Sequence, residues 1–162
     1  MRSTRLTHDH DGTLVVFLIG MTITKPWRPD LWLPVFTAMP RMLRELEAQE
    51  HSGLLGYEYL AMRTGPAVLQ YWDSQEALYA YASAPEGRHL SAWREFHRRT
   101  RKHPGAVGIW HETYVVDRAE SVYNNTRAVG LSRATHVVPV TAARLTGAQR
   151  FRRHRRSTSA PQ

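Results

Sequence analysis

The chain has no cysteine, which excludes disulfides, thiolate nucleophiles and cysteine-ligated metal. It also has no apolar run near the ~18–20 residues that span a bilayer. The longest run, "LVVFLIGM" (14–21), has the length of a strand. The polar start "MRSTRLTHDHDGT" carries no apolar segment followed by a cleavage site, so no signal peptide is expected and a cytoplasmic location is. No glycine-rich phosphate loop, no HExxH and no GxSxG occurs. Acidic residues are missing from one region only. Residues 133–162 hold seven arginines (133, 144, 150, 152, 153, 155 and 156) and no carboxylate. The other 15 basic and all 14 acidic side chains lie in residues 1–132, so the formal net charge of +8 belongs almost entirely to the end of the chain. A nearly neutral body argues against a nucleic-acid-binding fold. The run "RFRRHRR" supports at most nonspecific attraction to nucleic acid or an acidic surface.

What is present is periodic. Residues 14–24 read as a strand that is apolar on both faces, with Val15, Phe17, Ile19 and Met21 on one and Leu14, Val16 and Leu18 on the other. Such a strand is covered on both sides. After the proline-interrupted "KPWRPDLWLP", Val35, Met39, Met42, Leu43 and Leu46 recur at helical spacing and predict a helix over residues 34–49, with Pro34 in its first turn. Residues 54–63 and 67–72 read as two strands joined by the turn "TGP". Ser74 is placed to cap a helix that runs to Pro85, and a second helical segment covers residues 87–102. "GIWHETYVV" (108–116) is the next strand; residues 122–131 read as irregular, and 135–141 as a further edge strand weakened by Pro139.

This order predicts an α+β fold: a ferredoxin-like βαββαβ antiparallel sheet with helices on one face. Residues 1–13 read as a flexible N-terminus, 14–132 as the domain and 133–162 as a basic, mostly disordered tail. Nothing in a chain of this size is evidently left over to cover the second apolar sheet face. A homodimer, sheet against sheet, would cover it and enclose a hollow.

"LPVFTAMPRMLREL", "GLLGYEY", "LQYWDSQEALYAYASAPEGRHLSAWREF" and "GIWHETYVV" resemble a family of small bacterial and fungal proteins labelled monooxygenase-like, in the dimeric α/β-barrel superfamily. The resemblance covers residues 14–131 and excludes the basic tail. It implies a dimeric α/β barrel and a monooxygenase-like activity of the kind found in bacterial secondary metabolism. The substrate class implied is a planar aromatic or polyketide-like small molecule, oxidised without metal or flavin. The family's relatives also include haem-degrading enzymes and haem-dependent aldoxime dehydratases, which leaves haem as the alternative cofactor and a non-catalytic ligand-binding module as a further alternative.

The candidate catalytic residues are His111, Glu112 and His89. His111 and Glu112 are adjacent in a strand and must face opposite ways. Alternation leaves open which one faces the pocket and which is a satisfied polar group; an arginine, Arg63 among them, would pair with Glu112. His89 would serve as a base or an axial haem ligand at the pocket mouth, or simply as a helix-start hydrogen bonder. It cannot share an ion with His97, since eight helical residues separate them by about 12 Å. Candidate substrate-binding residues are Tyr59, Tyr71, Trp72, Trp93, Trp110, Tyr114 and Asn124, each of which also suits ordinary core, dimer interface or turn. Asn124 belongs to "VYNN", which would close the pocket. "HDHD" (8–11) resembles a fragment of a metal site in a flexible terminus.

Overall fold

Ten-residue β2 (Leu14–Ile23) sits at the middle of a four-stranded antiparallel sheet ordered β3-β4-β2-β5. The computed structural model describes residues 5–84 and 88–153, the side chains of residues 88–91, 143, 152 and 153 excepted. Its other sheet members are β3 (Leu54–Met62), β4 (Gly65–Trp72) and β5 (Val107–Val116). Helix α1 (Pro29–Ala48) connects β2 to β3, while α2 (Gln75–Ser83) and α3 (Arg88–Lys102) connect β4 to β5. The order is the ferredoxin-like one, as the periodicities predict. The Ser74 hydroxyl caps α2 by accepting from the Ala77 amide at 3.2 Å, as its position suggests.

Helix α1 begins five residues earlier than the sequence pattern indicates, at Pro29, and carries Pro34 and Pro40 in its interior. Proline at 34 has no N–H for the carbonyl of Asp30 one turn back. That carbonyl is instead taken by the Arg99 guanidinium of α3 at 3.1 Å. A partner 69 residues away thus rescues the turn that local reading ends.

Cross-strand register sorts the side chains by face. Ile19 lies between Val68 and His111, and Phe17 between Gln70 and Thr113, all on one face. Leu18 lies between Leu69 and Glu112, and Val16 between Tyr71 and Tyr114, on the other. The helices cover the first face, where Val15, Leu46, Trp72 and Leu78 form a buried cluster. Trp72 and Val15 have no exposure.

The remaining elements correct the expected boundaries. Residues 5–9 are not a loose lead-in but a strand, β1 (Arg5–Asp9). It pairs with β6 (Tyr123–Asn124) and β7 (His136–Pro139) in a second, three-stranded antiparallel sheet. The described part of the basic segment, to residue 153, is ordered too. Helix α4 (Leu131–Ala134) precedes β7, and a short 3-10 turn and α5 (Gly147–Arg153) follow it. Three of its arginines have acidic partners: Arg144 meets Asp9 at 3.6 Å, Arg133 meets Glu58 at 3.5 Å, and Arg150 bonds Glu120. Residues 154–162, which hold the end of the arginine run, lie outside the described residues.

This extension also covers part of the sheet face opposite the helices, the face expected to need a second chain. Leu14, Tyr71 and Ala134 form a buried cluster there with Val16, Leu69 and Leu131 around it. Glycine at 56 permits it: a Cβ at Gly56 would lie 3.1 Å from the Ala134 Cα. The Glu58 carboxylate accepts from the Gly130 amide at 3.0 Å and fastens the start of α4 to β3. Leu60 toward the other end and Tyr114 on the edge strand remain exposed. Gly20 leaves room for the Trp110 indole, which a Cβ would approach to 2.4 Å.

Candidate functional site

A cavity lies between the sheet and its helices. It has a volume of about 190 Å³. Phe17, Ile19 and Met21 of β2 form part of its floor, apolar residues of α1 such as Pro34, Met39, Met42 and Leu46 contribute one wall, and Trp93 and Phe96 of α3 contribute another. Both interior prolines of α1 belong to that wall. The polar members are few: Gln70, Tyr59, Tyr81, Glu95 and Arg99. An apolar cavity with a small number of placed polar groups is the usual form of a small-molecule site.

Gln70 is the deepest of these, at 4% exposure. Its Oε1 accepts from the Trp72 indole N–H at 3.0 Å, and its Nε2 points at the Met39 sulfur, 3.9 Å away. Tyr81 lies on the wall formed by α2, its ring 6.0 Å from that of Trp72. Burial first, then the charge of Glu45, pushes its phenol up to about 12, so it stays protonated at ordinary pH. At α3, hydrogen bonds from Arg98 and then Arg99 hold the Glu95 carboxyl down at about 2. Their Nε atoms sit 2.7 and 2.6 Å from it. A carboxylate so held is a weak proton acceptor near neutrality.

The sheet divides the residues selected from sequence. Tyr59 and Trp93 line the cavity. Trp72 lies on the same face, behind Gln70. His111 also faces the helix side, with its ring 5.5 Å from Phe17, but on the edge strand, exposed and outside the lining. Tyr71, Trp110, Glu112 and Tyr114 face the opposite way. Tyr71 is buried there, and burial first, then Tyr123 and Glu58, pushes its phenol up to about 12. Glu112 accepts from the Tyr114 hydroxyl rather than from an arginine, and that bond raises the Tyr114 pKa. Asn124 is in β6, paired with Arg5 in the second sheet. The side chain of His89 lies outside the described residues.

Sequence reading passed over Gln70 as a site residue, although a lone amide in the apolar run "AVLQYW" was its available signal. Among the described residues no group of three or more histidines and carboxylates could hold a metal ion; His8 of "HDHD" has Nδ1 2.8 Å from the Ser121 hydroxyl. The haem alternative fits poorly. No described imidazole lines the cavity to serve as an axial ligand.

No helix among the described residues is long and apolar enough to cross a membrane. No curated protein matches the chain. Several solved structures are similar to it in fold. The cofactor-independent oxygenase SnoaB from Streptomyces nogalater aligns at 12% identity over 64% of this chain and 93% of its own, with a TM-score of 0.46. An aldoxime dehydratase, solved with butyraldoxime, aligns at 14% identity over 70% of this chain but 34% of its own, with a TM-score of 0.53. A dimeric ferredoxin-like protein of unknown function from Thermobifida fusca aligns at 15% identity over 67% of this chain and 95% of its own, with a TM-score of 0.45. At these identities the likeness concerns the fold alone. Residues 14–131, from the first strand of the main sheet to the start of α4, match the model of the monooxygenase af470-like family, and the chain belongs to that family.

Proposed function

We propose that this chain is a monooxygenase-type enzyme that oxidises a planar aromatic or polyketide-like molecule in the cavity between sheet and helices, without metal or flavin. The observation that carries the reading is the cavity itself: nearly apolar walls around one buried amide, Gln70, in a chain of a monooxygenase-like family. Chemistry of this kind asks little of a protein. An activated methylene loses a proton to a base, and the resulting carbanion is electron-rich enough to reduce dioxygen. The carbon and one oxygen atom of O₂ join, and the hydroperoxide loses water to leave a ketone, so that CH₂ and O₂ become C=O and H₂O. The protein supplies a base, a donor for the developing oxyanion and exclusion of water.

The apolar walls supply the last of these, and Gln70 and Tyr81 are the donors. His111, outside the lining but with its ring 5.5 Å from that of Phe17 in the cavity floor, is the base we assign. Glu112, Tyr114 and Trp110 lie on the other face, where with Leu18 and Leu60 they form the surface a second copy would cover in a homodimer.

The test is oxygen uptake with anthrone by chelator-treated protein. One O₂ consumed per anthrone converted to the quinone, with a rate at least tenfold lower in His111→Ala, supports the reading. Uptake no faster than without protein, for anthrone and for a naphthohydroquinone alike, rejects it. Sedimentation at twice the chain mass of 18.6 kDa supports the dimer, and sedimentation at that mass rejects it.

A further inference from the structure

We infer that Gln70 is the cavity's fixed hydrogen-bond donor, and that it selects apolar ring compounds bearing one neutral acceptor oxygen, a carbonyl or a phenolic ether, over the same ring systems without it. The inference rests on reading the cavity as the substrate site and adds the feature by which a substrate is recognised there.

The orientation of the amide follows from its neighbour. An indole N–H can only donate, so the Gln70 atom 3.0 Å from Trp72 Nε1 must be the oxygen. Turning the amide over would set donor against donor. Trp72 cannot yield, because it is fully buried among Val15, Leu46 and Leu78. The amide nitrogen is therefore directed away from Trp72, toward Met39 of α1 on the cavity wall. There it meets a thioether sulfur at 3.9 Å, a weak acceptor. The nitrogen has two N–H bonds, is 4% exposed as part of its residue, and finds no oxygen acceptor among the described residues. A ligand oxygen would replace a poor partner with a good one, and nothing need rearrange to receive it.

The remaining polar groups narrow the class. Among the described residues Arg99 is the one cation in the lining, and it is already committed to Glu95 and to the Asp30 carbonyl. A carboxylate or phosphate on the ligand would have no available counter-charge there, and leaving it unpaired in an apolar cavity is costly. A neutral oxygen needs a donor and no counter-charge, and the Gln70 amide supplies one.

The experiment compares 1-tetralone with tetralin, which share a ring system and differ by one carbonyl. Binding is followed under nitrogen by calorimetry, so turnover plays no part. Wild-type protein is expected to bind tetralone about tenfold more tightly than tetralin. Gln70→Met and Gln70→Leu are expected to bring that ratio to about one with tetralin affinity kept, which also shows that the cavity is intact. Trp72→Phe keeps the amide but removes the N–H that orients it, and is expected to give a ratio between the two. This is the signature of a positioning residue. A wild-type ratio of one, or a ratio that survives replacement of Gln70, overturns the role of Gln70 while leaving the cavity as an apolar ligand site. Failure of the wild-type protein to bind either compound overturns the cavity reading as well.

Discussion

The two faces of the main sheet are both apolar, yet one has a cavity beneath its helices and the other is closely packed where its cover reaches. On the helix side, α1 crosses the sheet with two interior prolines, and a cavity of about 190 Å³ remains beneath it. On the other side, short α4 touches β3 directly, because Gly56 lets the Ala134 backbone approach. The difference teaches that apolar strands demand only to be covered. Whether the cover is solid or encloses a space depends on how closely backbones approach, and Gly56 allows one such close approach here.

Several substitutions would break or sharpen this contrast. The largest effect is expected on the helix side. Trp72→Ala removes a fully buried indole and should destabilise the fold by ~3–5 kcal/mol, read from urea unfolding followed by circular dichroism. On the closely packed side, Gly56→Val pushes a branched side chain into α4 and should cost about 1–3 kcal/mol. Its unfolding should leave tetralin binding in the cavity intact below the transition. Equal damage to that binding would mean that the two faces are not independent. Arg150→Ala should cost about 1–3 kcal/mol, because this nearly buried guanidinium bonds Glu120 and two backbone carbonyls, of Arg144 and Leu145. A cost near zero would return the C-terminal segment to the status of an appendage.

The smallest effect concerns pH. The Glu95 carboxyl is held near 2 in the folded state, below its ordinary value of 4.5. Its contribution is therefore fully present above about pH 4.5 and fades as pH falls toward 2. Because the group is exposed, solvent screens its ion pairs and the effect is slight. Glu95→Gln should flatten the stability profile between those pH values and leave neutral stability almost unchanged. An identical acid slope in the variant would contradict the assignment.

Much of the fold was legible because it is local. Alternation in residues 14–24 and 54–72, the Ser74 cap and the "TGP" turn each concern neighbours in sequence, and the structure keeps them. The errors share one form. The start of α1 was misplaced because Arg99 completes a turn that Pro34 breaks. The basic segment read as solvated charge because Asp9, Glu58 and Glu120, the partners of its arginines, lie far away in the chain. Of the aromatic residues singled out from the sequence, Tyr59 and Trp93 line the cavity. Tyr71, Trp110, Glu112 and Tyr114 lie on the sheet face away from this cavity, the face expected to meet a second copy. Alternation places them opposite His111 without saying which side holds the cavity.

By itself the sequence determined the order of elements, the two-sided apolar strands and the family to which they belong, since each depends on periodicity along the chain. Only tertiary structure decided which face has this cavity, which way the Gln70 amide is turned and where the arginines find their carboxylates. Those outcomes depend on distances between residues remote in sequence, and no local pattern encodes such distances.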